Sequence, residues 1–350
     1  MQREKTMKNI KICRSATIIV ICMLLLISGC AEPNGTARPK IVPKQANKTR
    51  NIPAEKKGIV KLALKFTPGD STTYKVIKET TRQAAWEGVD ARKPAGFKGG
   101  QSGNRIEMTL NQHIQSTDEK GNAIARTTIE GLKYRTKVAD NIVLDFDSSR
   151  EKDRENPLNK LIGHSYTIEI TPSGQVANIV DVNDALAAII DSPNRTAIQL
   201  LSAGAITERH TIPALPTGDK TEFNVGDSWE LVKNISFDQM GMKSYGKTYT
   251  LEDIQDKDNR RIAVVRMNAI PSAEQAKELY QAQTTLPFPF DSTDTYSGQL
   301  MLDSLSGKVE EYNEKLLAEW IIIDPTAKNN ERPDSIKMSA TQSYSIERMD

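Results

Sequence analysis

Cysteine is nearly missing from this sequence. The 350 residues hold three, Cys13, Cys22 and Cys30, and none follows residue 30. A disulfide scaffold is therefore excluded for the body of the chain, and stability must come from a hydrophobic core. The length suffices to bury one. Histidine is equally scarce: His113, His164 and His210 stand alone, with no second histidine or cysteine at zinc-ligand spacing. There is no G-x-S-x-G nucleophile elbow. The glycine-rich run 98–103 (KGGQSG) fits no phosphate-loop pattern and reads as a flexible loop. Long apolar runs are missing too. The uncharged stretch 15–29 is the longest, and it falls short of the ~20 residues that a spanning helix needs.

That stretch follows a basic start (Arg3, Lys5, Lys8, Lys11, Arg14) and ends in Ile27-Ser28-Gly29-Cys30. A basic region, a short apolar core and small residues before a cut mark a secretory signal. The final four residues resemble a bacterial lipoprotein signal. The resemblance implies removal of residues 1–29 and diacylglycerol attachment at the Cys30 thiol, so that Cys30 is the site of membrane anchoring. Ala31 rather than Asp after the cysteine points to the outer membrane, facing the periplasm, over the inner membrane.

The formal charge of +2 changes meaning once the signal is set aside. Removing its five Lys/Arg and one Glu from totals of 47 and 45 leaves 42 basic and 44 acidic residues. Residues 31–57 carry seven basic and two acidic groups, which leaves about −7 for residues 58–350. An acidic body excludes nucleic acid as the partner. Segment 30–57 has four prolines and few apolar residues, and reads as a disordered tether beyond the lipidated cysteine.

In the body, alternation dominates. Val60, Leu62, Leu64 and Phe66 alternate with polar or small residues, as do Ile336, Met338, Ala340, Tyr344 and Ile346. Period two with one polar face predicts half-buried antiparallel strands. Further strands are expected over 72–82, 104–117, 122–138, 141–147, 164–171, 175–180, 228–237, 243–255, 259–269, 295–304 and 307–323. Helices are few. One is expected from the cap Asn183 to Asp191, with Leu186, Ile189 and Ile190 as its apolar stripe. A second runs from Arg195 to Ala203, with Ile198 and Leu201 inward and Gly204 ending it. A third opens at Ser272 and ends near Gln283.

Two turn words recur in the same order. Gly-Asp-Ser stands at 69–71 and 226–228, and Ser-Gly-x-Val at 173–176 and 306–309. The expected fold is mainly β (α+β): antiparallel sheets in two related halves, 58–205 and 206–350, curving over a few amphipathic helices. One large sheet wrapping the helices satisfies the same signals. Leu215-Pro216 followed by Val225-Gly226-Asp227-Ser228-Trp229 resembles the mid-chain signature of an uncharacterised family of bacterial lipoproteins, as do KFTPGDSTTY and ITPSGQVANI. The resemblance implies an envelope lipoprotein and supplies no catalytic residues.

No catalytic, metal or cofactor site emerges. Asp145 with Asp147 reads as a solvated strand face, and Asp253, Asp256, Asp258 and Asn259 as a hairpin turn without the glycine and glutamate of a calcium loop. Asp70 and Asp227 read as turn residues rather than paired catalytic acids. The candidate contacts for an apolar ligand or an envelope protein are Trp86 and Phe97 in the long loop, and Phe288 and Phe290 in LPFPF. A non-enzymatic binding lipoprotein is the expected function. The alternative is an envelope hydrolase working through carboxylates.

Overall fold

The computed structural model describes residues 58–93, 97–191, 194–218, 220–237, 242–272, 290–323 and 334–349. Its centre is one open antiparallel sheet built from two meanders. The first comprises β2 (Ser71–Glu87), β3 (Gly100–Thr117), β4 (Ala123–Val138), β5 (Asn141–Asp147), β6 (Ser165–Ile170) and β7 (Val176–Asp181). The second comprises β9 (Ser228–Ser236), β10 (Met242–Lys257), β11 (Arg260–Pro271), β12 (Phe290–Asp303), β13 (Lys308–Ile323) and β14 (Ser335–Arg348). The order is β7-β6-β4-β3-β2-β14-β13-β12-β11-β10-β9, with β5 branching from β4. The halves therefore meet where β2 pairs with β14, from Arg348 opposite Tyr74 to Ser335 opposite Glu87. Two short strands, β1 (Ile59–Lys61) and β8 (Glu222–Asn224), form a separate ribbon.

Alternation sets the inner face. On β10, Tyr245, Lys247, Tyr249 and Leu251 are fully buried, and Met108 and Leu110 on β3, Leu300 and Leu302 on β12 and Tyr312 and Leu316 on β13 join the same interior. The expected loop 98–103 is largely strand, since β3 begins at Gly100 and pairs Gly103 with Lys137. A Cβ at Gly103 would collide with the Thr80 carbonyl, so glycine there serves close strand approach.

The Gly-Asp-Ser word makes the same structure in both halves, while the Ser-Gly-x-Val turns share a positive-φ glycine but close differently, Gly174 N–H donating to Thr171 O and Gly307 N–H to Asp303 O. The Asp70 N–H donates to Thr67 O at 3.0 Å and the Asp227 N–H to Asn224 O at 2.9 Å. Gly69 and Gly226 take φ of 90° and 97°, the third-position geometry of a type II turn. The Gly69 N–H then donates to Ile114 O, whose own N–H returns to Asp70 O. Gly226, Leu251 and Asp227 repeat the exchange. Each partner strand carries a register shift immediately afterwards, between Ile114 and Ser116 and between Leu251 and Asp253.

The expected strand over Val60–Phe66 is shorter than its alternation implies. Beyond Leu62, whose N–H reaches Thr221 O beside β8, the backbone bonds go to turns instead of a neighbouring strand: Leu64 N–H to Pro172 O, and Lys65 N–H to Gly307 O in the second meander. Ile212 N–H, reciprocally, reaches Gly174 O in the first.

Helices α1 (Asn183–Ala187), α2 (Arg195–Leu200) and α3 (Ala203–His210) connect the meanders, and the expected boundary at 205/206 falls inside α3. Their inward residues match the expected stripes only at Ile189 and Leu201. Ala185 and Ile189 are buried while Leu186 and Ile190 are exposed; Ala197, Leu200 and Leu201 are buried while Ile198 is exposed. Small alanines let these short helices lie close to the sheet. Asn183 is the first helical residue rather than the cap, and Gly204 lies within α3, which Ser202 caps by accepting from the Ala205 N–H at 3.3 Å. The helix expected at Ser272–Gln283 lies outside the described residues, Ser272 apart.

Gly307 is the position where the glycine requirement is steepest. It combines φ of 69° with a Cβ site that would collide with the Lys65 backbone nitrogen. Gly307→Ala should lower stability by about 3 kcal/mol through strain plus displacement of the 62–67 segment. Gly226→Ala, with open space at its Cβ site, should lose only about 1 kcal/mol. Urea midpoints measure both, and equal losses would remove the tying role of Lys65.

Candidate functional site

Helix α3 stands over the middle of the inner face. Lys78 of β2 pairs with Glu208 at 2.5 Å, and the Tyr344 hydroxyl of β14 donates to Arg209 O at 2.6 Å. Arg209 is buried: it donates to Leu200 O at 2.7 Å and to the Tyr166 hydroxyl at 3.1 Å. Tyr166 then has its own proton to give to His210 Nε2, 2.7 Å away. Burial, helped by Arg209, lowers the His210 pKa to about 3, so the ring stays neutral.

The fastened helix has a hollow on each side. Toward β3 and β4 lies a cavity of about 320 Å³, lined by Ile106, Met108 and Leu200. Toward β9, β12, β13 and β14 lies a larger one, about 610 Å³. Pro213, Leu215, Trp229, Leu231, Leu316 and Tyr344 supply its apolar wall. Lys78, Glu208 and Tyr344 line both. The larger volume lies within the range of small-molecule sites.

Its floor is charged. Glu314 on β13 accepts at Oε2 from Lys247 Nζ at 2.5 Å and from the Tyr296 and Tyr312 hydroxyls at 3.0 Å each. Oε1 faces Lys233 Nζ at 3.3 Å. Strand pairing explains the convergence: Glu314 is opposite Gly298, and Lys233 opposite Tyr245, so inward residues of β9, β10, β12 and β13 meet on neighbouring rows. Gly298 leaves room there, because a Cβ would crowd the Glu314 backbone. Lys247 is fully buried, its ammonium 4.5 Å above the Tyr296 ring. Burial lowers its pKa to about 8 against the pull of Glu314. Burial would raise Glu314, but Lys233, Lys247 and the hydrogen bonds outweigh it and bring it to about 2. Tyr296 and Tyr312 are raised by burial and by the Glu314 charge. A second buried carboxylate, Asp294, is held by Lys243 at 2.7 Å and by the Tyr245 hydroxyl at 3.1 Å.

No family model matches the chain, and no curated protein matches it. Among solved structures it is similar to one of lipovitellin, described for its lipid–protein interactions. The match covers 82% of this chain and 26% of that one, at 11% identity and a TM-score of 0.40. The chain thus spans about a quarter of that structure's length.

Of the expected contact residues, none lines the larger cavity among the described residues. Trp86 sits near the end of β2 opposite Ile336, its indole N–H buried without an acceptor. Phe97 lies under the Lys93 ammonium at 5.5 Å. Phe290 begins β12, its side chain outside the described residues, and Phe288 lies outside them altogether. His113 meets the Ser71 hydroxyl at 2.9 Å, and His164 meets Asp184 at 3.0 Å. Asp145 pairs with Arg150 at 2.8 Å, while Asp147 accepts from Ser149. Asp258 and Asn259 form a hairpin turn with positive φ. Asp70 lies 3.6 Å from Lys308, and Asp227 accepts from the Asn224 N–H and from Lys220. Among the described residues no group of three or more His, Cys, Asp or Glu could hold a metal ion.

Lys233, Lys247, Tyr296 and Glu314 escaped sequence reasoning. The available signal was register: Lys247 shares the buried face with Tyr245 and Tyr249, and Glu314 lies between Tyr312 and Leu316. Glu314→Gln should destabilise the fold by about 3–5 kcal/mol, because Lys247 stays buried without its counter-charge. The folded pKa of Glu314 lies below its ordinary 4.5, so its stabilisation is complete above that value and is lost as pH falls toward 2. Denaturation curves from pH 7 to 2 should show this component in the wild type and not in Glu314→Gln.

Proposed function

We propose that this chain is a lipid-anchored protein of the bacterial cell envelope that binds an apolar or amphipathic molecule between α3 and the second meander, without catalysing a reaction. The observation that carries the binding role is the hollow of about 610 Å³ with Leu231, Leu316 and Trp229 in its wall. A cavity of this size lined by apolar side chains favours removing a hydrocarbon surface from water, at roughly 25 cal/mol per Å². The anchoring role rests on the resemblance around Cys30, with Ala31 favouring the outer membrane facing the periplasm. The signature from Leu215 to Trp229 supports membership of the uncharacterised lipoprotein family. Carboxylate hydrolysis needs two acids in one cleft with pKa values pushed apart. Asp294 and Glu314 each meet their own lysine instead.

Native mass spectrometry of the chain purified from a bacterial envelope should show a bound small molecule, and Leu231→Trp should expel it. Leu231 is exposed and lines the hollow, so the larger ring fills it without opening the core. A bound mass unchanged in Leu231→Trp would rule out this hollow. Anchoring is checked separately: Cys30→Ser should leave the precursor uncleaved and without incorporated labelled fatty acid, and normal labelling would refute it.

A further inference from the structure

Glu314 is over-compensated. One carboxylate faces two ammonium groups, and the two lysines are not equivalent. Lys247 is sealed in, with no exposed surface, and holds Oε2 together with two tyrosine hydroxyls. Lys233 is partly exposed on β9, lines the hollow, and holds Oε1 at the longer distance of 3.3 Å. Lys233 can therefore swing toward the hollow while Lys247 still neutralises Glu314. With its folded pKa at about 8, Lys247 remains mostly charged at neutral pH and sustains that role. Of the other charges on the wall, Lys78 pairs with Glu208 and Glu79 with Arg105, and Glu230 is an exposed acid on β9. One ammonium whose carboxylate keeps a second counter-ion, set beside an apolar wall, suits a ligand that brings a negative charge.

We infer that the hollow takes an amphiphile with an anionic headgroup, a carboxylate or a phosphate monoester, and that Lys233 is the residue that recognises the headgroup while Glu314 and Lys247 position it. This rests on the binding role proposed above and names its ligand class. In that arrangement the Lys233 ammonium exchanges a shared Glu314 oxygen for the ligand oxygens, and the hydrocarbon lies along Leu231 and Leu316.

The test uses the full-length chain in nanodiscs of zwitterionic lipid, titrated with octanoate, octyl phosphate, octanol and octylamine below their micellar concentrations. Trp229 fluorescence reports occupancy, Trp229→Phe identifies that signal, and empty nanodiscs correct for partitioning. One of the two anions should bind about tenfold tighter than octanol, and which one it is separates an acyl carboxylate from a phosphate headgroup. Lys233→Gln should erase that tenfold preference and leave octanol affinity unchanged, and Lys233→Arg should restore much of it. Lys247 keeps Glu314 paired in both variants, so both should stay folded, and melting temperatures measured beside the titrations report the cost of losing the Lys233 contact. The inference falls if octylamine binds tightest, or if Lys233→Gln keeps the anion preference. If no probe binds, octanol included, the binding role itself fails.

Discussion

The pairing of β2 with β14 is the constraint on which the rest depends. These strands lie more than 240 residues apart in sequence at their Glu87–Ser335 end, yet they run side by side along nearly their full lengths. Without this seam the chain would be two separate meanders, each with a long bare edge. With it, α3 has a floor made from both halves: Lys78 comes from the first and Tyr344 from the second. The hollows on either side of α3 exist only because that floor is continuous. Long-range pairing of this kind must close large loops, which slows folding.

The second meander buries polar chemistry beneath the wall of the larger hollow. Lys243 with Asp294 and Tyr245, and Lys247 with Glu314, Tyr296 and Tyr312, form two neighbouring clusters on one face. Each carboxylate is satisfied several times over, which is the condition under which buried charge is tolerated. Aromatic rings fill the space between. Tyr245 meets Tyr296 edge-on at 5.4 Å, and Trp229 stacks on Tyr249 at 5.8 Å. Packing of this kind locks the rotamers of the buried polar groups.

Much of the sheet was legible in the sequence, because period two records which residues face inward. The alternation around Val76, Tyr249 and Ile346 marks strands whose ends lie within a few residues of those expected, and the recurring Gly-Asp turns mark both strand entrances. The short helices were less legible. Their inward positions are held by Ala185 and Ala197, which carry little apolar signal, while Ile190 and Ile198 are exposed. Helix α3 was missed because Gly204 reads as a terminator although Ser202 caps a helix that runs through it. The floor of the hollow was hidden for another reason. A lysine or glutamate in an alternating strand reads as solvent-facing unless its register is known, and the register of Lys247 and Glu314 depends on which strands become neighbours.

The reciprocal ties at the turns carry a consequence for how the halves relate. Lys65, from the first half, covers Gly307 of the second, and Ile212, from the connection after α3, covers Gly174 of the first. Cut between His210 and Thr211, each fragment would hold a cover for the other's turn glycine, and the first would keep only its own Leu64–Pro172 tie. The two halves, alike as their turns are, are therefore complementary pieces of one fold. They resemble an exchanged pair within a single chain more than two modules in tandem, and separated fragments would recover their covers by associating with each other.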